Sequence, residues 1–335
     1  MDPRQVFQES DIKDEFLDRF DELRSHARDG GGLEGLEGGL SIDDAAEVAE
    51  SMAEGSYAPG SHWGVEAIIE RFTRPVYLIQ DATFTVPPDS FPESEVIAGK
   101  LDTGRSLVEG AIPSVGRIDL RNHRLDWVGT AWLVGPDLLV TNRHVASEFA
   151  GARNGQFVFQ ENFDGSKVAA TVDWRHEFQR GHESRFRVKE VVWIEPRNSV
   201  DVALLRISPE SEDGEPAPAP IPLMTRDELR AAPPGEWVTV IGYPAFDSRN
   251  DAADQQRIFD GNFNVKRLAP GQITFRSEQP VLFHDATTLG GNSGSVVFDL
   301  STGKAAALHF GGIQGQRNEA VQAWRLREII REHAG

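Results

Sequence analysis

The chain has 335 residues, with 53 acidic and 34 basic side chains, a formal net charge of −19 and no cysteine. That length holds one large or two ordinary domains, and the charge argues against an extended nucleic-acid or anionic-membrane surface. Without cysteine there is no disulfide framework, thiolate metal site or cysteine nucleophile.

No run of sequence approaches the roughly 18 apolar residues of a membrane span. The N-terminus is acidic and lacks the apolar segment of a secretory signal, so a cytoplasmic location is expected. Residues 1–60 carry 16 acidic and 5 basic side chains, a net of −11. Ile12, Phe16, Phe20 and Leu23 recur at helical spacing behind Ser10 as N-cap. A glycine-rich break from Gly30 to Gly39 follows. Ser41 with Asp43 and Asp44 opens a second helix, the acids suiting its N-terminal dipole, and a third is expected over residues 65–72. These helices form a small bundle, or an inhibitory segment or one that recruits a regulatory protein partner. Residues 75–79 read as a strand and 84–94, with three prolines, as a linker. The expected boundary lies near residue 100, with an acidic, mostly helical region 1–100 before a domain over 101–335.

From there the pattern changes to short apolar runs between turn signals, which suits antiparallel barrels. A first barrel, about 107–210, takes strands from 112–120, 127–145, 156–160, 168–172, 188–194 and 202–207. Residues 210–220, rich in proline and acids, connect to a second barrel at about 220–335. Its strands are expected at 237–241, 273–276, 281–283, 296–298 and 305–310. Residues 247–263 read as a long polar loop, and Trp324, Leu326, Ile329 and Ile330 as the inner face of a C-terminal helix.

Three segments carry chemistry. In Gly290-Gly291-Asn292-Ser293-Gly294 a serine sits between glycines ahead of a β-branched run, a sharp turn feeding a buried strand. Successive amides in such a turn can converge on one point, so Gly291 and Ser293 are the candidate oxyanion donors. Ser293 needs a base to act as nucleophile. His144, at the end of an apolar strand in Thr141-Asn142-Arg143-His144-Val145, is placed to reach a cleft. Asp201, entering the strand Val202-Ala203-Leu204-Leu205, would orient the imidazole. Each alone is also an ordinary turn serine, core histidine or strand-capping acid. His176-Glu177 and His182-Glu183 lack a second histidine at metal-binding spacing, so no metal or cofactor is expected.

Taken together, the Thr-x-x-His-Val run, the Asp-Val-Ala-Leu-Leu strand and Gly-Asn-Ser-Gly resemble the three signatures of the chymotrypsin-fold serine peptidases, in that family's order His, Asp, Ser. The resemblance runs from about residue 107 to the C-terminus. It implies two six-stranded antiparallel Greek-key barrels, a closing C-terminal helix, a protein or peptide substrate and acyl transfer by Ser293, His144 and Asp201. It also implies that Phe310-Gly311-Gly312 pairs with the substrate backbone. The His309-x-Gly311-Gly312 element and Thr288, five residues before Ser293, are similar to those of bacterial glutamyl endopeptidases, which implies cleavage after Glu. His309 as a core histidine bonded to backbone stands beside that reading. Asn292, where trypsin-like zymogens carry an aspartate, disfavours activation by a freed N-terminal amine. The rivals are a catalytically silent peptidase-fold binding or adaptor module and a protease-chaperone, the latter disfavoured by Ser295 where that group has a third glycine.

Overall fold

The computed structural model describes residues 75–85, 95–233, 235–246, 252–276, 278–313 and 317–334. Toward the N-terminus it describes 7, 13–14, 16–18, 20, 42–54 and 56. Ile12, Leu23 and the helix expected over 65–72 lie outside the described residues.

Phe16 and Phe20 are buried with Phe7, their rings 5.1 to 5.6 Å apart. Helix α1 (Ile42–Ala53) buries Ala45, Val48, Ala49 and Met52, one face at helical spacing. Strands β1 (Tyr77–Gln80) and β2 (Thr83–Thr85) form a hairpin. Helix α2 (Glu95–Ala111) was not expected, because Gly99, Gly104 and Gly110 each lower helix propensity by about 1 kcal/mol against alanine. Tertiary packing overrides that cost. Ile97, Leu101 and Val108 are buried on one face, and Gly104 lets the helix close on Leu300, whose carbonyl oxygen is 3.0 Å from where a Cβ would stand.

The first barrel is built from β3 (Val115–Arg121), β4 (Trp127–Leu133) and β5 (Leu138–Thr141), joined through helix α3 (Arg143–Ser147) to the rest. A side hairpin, β6 (Ala150–Arg153) with β7 (Gln156–Phe159), precedes β8 (Ala169–Asp173), β9 (Arg185–Ile194) and β10 (Ala203–Ile207). The barrel closes in the order β10-β5-β4-β3-β8-β9. After the short helix α4 (Arg226–Ala231), the second barrel uses β11 (Trp237–Gly242), β12 (Arg267–Arg276), β13 (Val281–His284), β14 (Val296–Asp299), β15 (Ala305–Ile313) and β16 (Arg317–Gln322). The sheet order is β11-β14-β15-β16-β13-β12, and pairing of β12 with β11 closes the ring. Two closed six-stranded antiparallel barrels are thus present, the architecture implied by the resemblance.

Three sequence expectations fail here. The strand expected at 156–160 as part of the first barrel pairs only with β6, in the side hairpin outside it. The stretch 247–263 is not all loop, since helix α5 (Ala252–Phe259) lies in it and buries Ile258 and Phe259 against the second barrel. Strand β16 was missed because Arg-Asn-Glu-Ala-Val-Gln shows no clear apolar alternation. It is held instead by full pairing with β13 and β15. The C-terminal helix α6 (Ala323–His333) falls where its apolar pattern placed it. It reaches across to the first barrel through Arg325 to Glu195 (3.2 Å) and His333 stacked on Trp193 (3.6 Å).

The β1–β2 hairpin extends the second barrel's sheet by pairing with β12. A buried ion pair supports the junction. Lys266 Nζ donates to the carbonyls of Trp174 (2.6 Å) and Ile112 (3.0 Å) and lies 3.4 Å from Glu177 Oε1. Glu177 Oε2 accepts the Ala82 amide (3.1 Å) and pairs with Arg180 (3.3 Å), which also meets Asp81 (3.2 Å). Burial lowers the Lys266 pKa to about 8 despite the attraction of Glu177. Removing one partner of such a pair strands the other in a dry site. Lys266→Met is therefore expected to cost about 3 kcal/mol, measured by the denaturant midpoint. The folded chain releases this proton before the unfolded chain, so wild-type stability relative to the variant should rise from about pH 8 toward 10.5.

Candidate active site

Strand β5 stops at Thr141, Asn142 is extended, and α3 starts at Arg143, which presents His144 at the barrel rim. The turn before β10 is tied to this helix. Asn142 Nδ2 donates to the Asp201 carbonyl (3.0 Å). Arg143 Nη1 lies 3.1 to 3.2 Å from the carbonyls of Pro196, Ser199 and Val200. Asp201 then meets His144 twice, taking the backbone amide on Oδ1 (3.0 Å) and ring Nδ1 on Oδ2 (2.6 Å). Burial pushes the Asp201 carboxyl up, but the His144 hydrogen bonds, the histidine's charge and Arg143 outweigh it and hold the pKa below the ordinary value. With Nδ1 committed to an ionised carboxylate, the imidazole presents Nε2 as a base. His144 is 47% exposed and Asp201 14%, so the pair opens on a cleft from the histidine side.

Ser293 arrives from the second barrel on the turn between β13 and β14, and this turn is bonded to the first barrel. The Ser293 carbonyl accepts the Thr130 amide of β4 (2.9 Å), and the Gly291 carbonyl accepts the Thr130 hydroxyl (3.0 Å). Gly294 has φ +89°, and a Cβ there would stand 2.0 Å from the Thr130 carbonyl oxygen, so only glycine fits. In a trans peptide the C=O and N–H point opposite ways. The Gly290 carbonyl is held by Ala245 N (2.6 Å) and the Asn292 carbonyl by Ser295 N (2.9 Å), so the Gly291 and Ser293 amides both face away from these partners. Neither amide donates a hydrogen bond among the described residues. Such a turn can hold an anionic oxygen.

His309, on β15, is 3% exposed, and its Nδ1 lies 3.2 Å from Nε2 of buried His284 on β13. Burial, then the charges of His284 and His144, lower the His309 pKa well below 6.5, so the ring is neutral at neutral pH. Its amide and carbonyl bond to Ser295 and Gly294 beside the serine (2.9 Å each). Thr288 has no hydrogen bond to His309 among the described residues. Its hydroxyl donates to Asn318 Oδ1 (2.7 Å) on β16, and Asn318 sits in register with both His284 and Gly312. Phe310, Gly311 and Gly312 continue β15 past the last residue that β14 pairs, Leu308, so one edge of this segment has no partner strand among the described residues. His284 and Asn318 escaped the sequence reading. Their contacts span 25 and 30 residues across strands, and Asn318 stands in the strand that had no apolar signal.

A family described as trypsin-like peptidase domain matches residues 129–308. A protein of Lysobacter enzymogenes named "Probable serine protease" is 32% identical over 279 residues, 76% of this chain and 70% of that one. A glutamyl endopeptidase of Staphylococcus epidermidis is 25% identical over 218 residues, 64% of this chain and 65% of the relative. A crystal structure of the Rv3671c protease in its inactive form covers 74% of this chain and 100% of its own at 21% identity, with a TM-score of 0.43. By the family match and the Lysobacter relative, the chain belongs to the trypsin-like serine peptidases, hydrolases that cleave polypeptide substrates.

Proposed function

We propose that the chain is a serine endopeptidase in which Ser293 is the nucleophile, His144 the general base and Asp201 the group that orients it, with cleavage after acidic residues, Glu foremost. The observation that carries the catalytic assignment is the 2.6 Å contact between His144 Nδ1 and Asp201 Oδ2. Val145, next to His144, and the Ser293 carbonyl both border Gly129, 2.9 and 3.0 Å from where a Cβ would stand. Ser293 Oγ attacks the scissile carbonyl carbon and its proton passes to His144 Nε2. The carbonyl oxygen becomes the oxyanion, received by the Gly291 and Ser293 amides. His144 returns the proton to the leaving amine as the C–N bond breaks. Water, deprotonated by the same nitrogen, then hydrolyses the acyl-enzyme.

The acidic preference rests on His309. Its Nδ1 faces His284, which leaves Nε2 as the ring nitrogen without a protein partner among the described residues. A neutral imidazole N–H in a dry wall can donate to a carboxylate without first losing a proton's worth of solvation. Thr288, Asn318 and Gly312 flank the same end of the barrel. The relative named glutamyl endopeptidase supports this reading. The partnerless edge at Phe310-Gly311-Gly312 would take the substrate backbone as an added strand. Control by the acidic N-terminal region, or by a protein bound to it, belongs to the same proposal. It is supported by the seating of the β1–β2 hairpin on β12, the strand that also closes the barrel.

Two outcomes follow. In a peptide library varied at P1, kcat/KM after Glu should exceed that after Leu or Ala by on the order of a hundredfold, and His309→Leu should abolish this preference. Faster cleavage after apolar residues would overturn the pocket while leaving the triad. Asp201→Asn should lower kcat by about ten-thousandfold at neutral pH with little change in thermal midpoint. Near-normal turnover in that variant would remove Asp201 from the mechanism.

A further inference from the structure

The turn 290–294 contains four peptide planes, and the carbonyl of each is held by a hydrogen bond. Three of the donors are backbone amides: Ala245 on Gly290, Ser295 on Asn292 and Thr130 on Ser293 (2.6 to 2.9 Å). The fourth carbonyl, that of Gly291, takes its bond from a side chain, the Thr130 hydroxyl at 3.0 Å. We infer that this hydroxyl is a positioning group for the oxyanion hole, holding the Gly291 amide on target through the transition state. The inference rests on the reading of the Gly291 and Ser293 amides as that hole.

The geometry makes the hydroxyl difficult to replace. Thr130 is fully buried, so water does not compete for its partners. Its single proton goes to Gly291 O, and a lone pair accepts the Tyr243 amide (3.2 Å). The rest of the residue is pinned as well. Its amide holds Ser293 O, and its carbonyl accepts the Thr141 hydroxyl (2.7 Å) at the end of the strand that leads to His144. Thr130 is thus bonded to both ends of the serine turn and to the histidine's own strand.

The plane that carries the Gly291 N–H lies between Gly290 and Gly291, which have no Cβ to restrict rotation. Local sequence therefore does little to aim that amide. Its own plane is held through Gly290 O by the Ala245 amide, and the adjoining plane through Gly291 O by the Thr130 hydroxyl. On the 291–292 plane the other hydrogen bond within the turn is longer, from Asn292 N to Leu289 O at 3.2 Å. Without the hydroxyl, two buried backbone groups, Gly291 O and Tyr243 N, lose a partner. Rotation of the 291–292 plane toward other partners would relieve this and carry the Gly291 amide off target. The hydroxyl touches neither substrate nor the reacting atoms, so its loss should appear in kcat rather than in KM.

The test compares Thr130→Val, which keeps the shape and removes the hydroxyl, with Thr130→Ser, which keeps the hydroxyl, in the full-length chain. Thr130→Val should lower kcat by about ten- to hundredfold with KM within about twofold. Its inhibition by a peptide boronate, whose serine adduct places an oxygen in the hole, should weaken in parallel. Thr130→Ser should stay within about threefold of wild type on every reading. Unchanged kcat in Thr130→Val, or an equal fall in both variants, would overturn the proposal. If Thr130→Val does not fold, Thr130→Ala read against Thr130→Ser decides, and equal kcat in that pair overturns it. Failure of the underlying reading looks different: the wild type itself would show no turnover that Ser293→Ala removes, and both would fall.

Discussion

The serine turn belongs to the second barrel by sequence and to the first by hydrogen bonding. Ser293 and Gly291 hang from Thr130 of β4, and Gly294 is a glycine because its Cα lies too close to Thr130 for any side chain. That contact sets where Ser293, the proposed nucleophile, stands relative to His144 and Asp201, which both come from the first barrel. Two barrels joined only by a loose connection would leave these groups free to drift. A displacement near 1 Å is enough to cost a large part of the rate in a reaction that depends on orientation. The stitch at Thr130 removes that freedom at the point where it matters.

Other contacts hold the barrels together away from the cleft, each by burying something polar and then satisfying it. Lys266 is fully enclosed and spends its ammonium on two carbonyls and Glu177, tying the segment after β8 to the start of β12. Glu177 in turn takes the Ala82 amide, so the β1–β2 hairpin is bonded to both barrels. The C-terminal helix adds Arg325 to Glu195 and His333 on Trp193. His284 and His309 are buried against each other, and burial keeps His309 neutral. A neutral His309 ring offers direction without charge, which suits the proposed carboxylate-binding wall.

What could be read from the sequence follows the range of each signal. The barrels and α6 were legible because apolar alternation and helical periodicity are local properties. The three segments around His144, Asp201 and Ser293 were legible because each carries its own short pattern at a strand edge. Helix α2 was hidden by three glycines, one of which is there for the close approach to Leu300. Strand β16 was hidden by its polarity, and α5 by a polar stretch that reads as loop. Thr130, His284 and Asn318 could not be found at all by spacing. Thr130 is 161 residues from Gly291, and its importance exists only once β4 lies under the serine turn.

The most direct test of the account is the site and rate of reaction with a small fluorophosphonate, read by intact mass and peptide mapping. The account predicts a single adduct on Ser293, formed at a rate that collapses when His144 is replaced by alanine. An adduct on another serine, or no adduct on a folded wild-type chain, would contradict it.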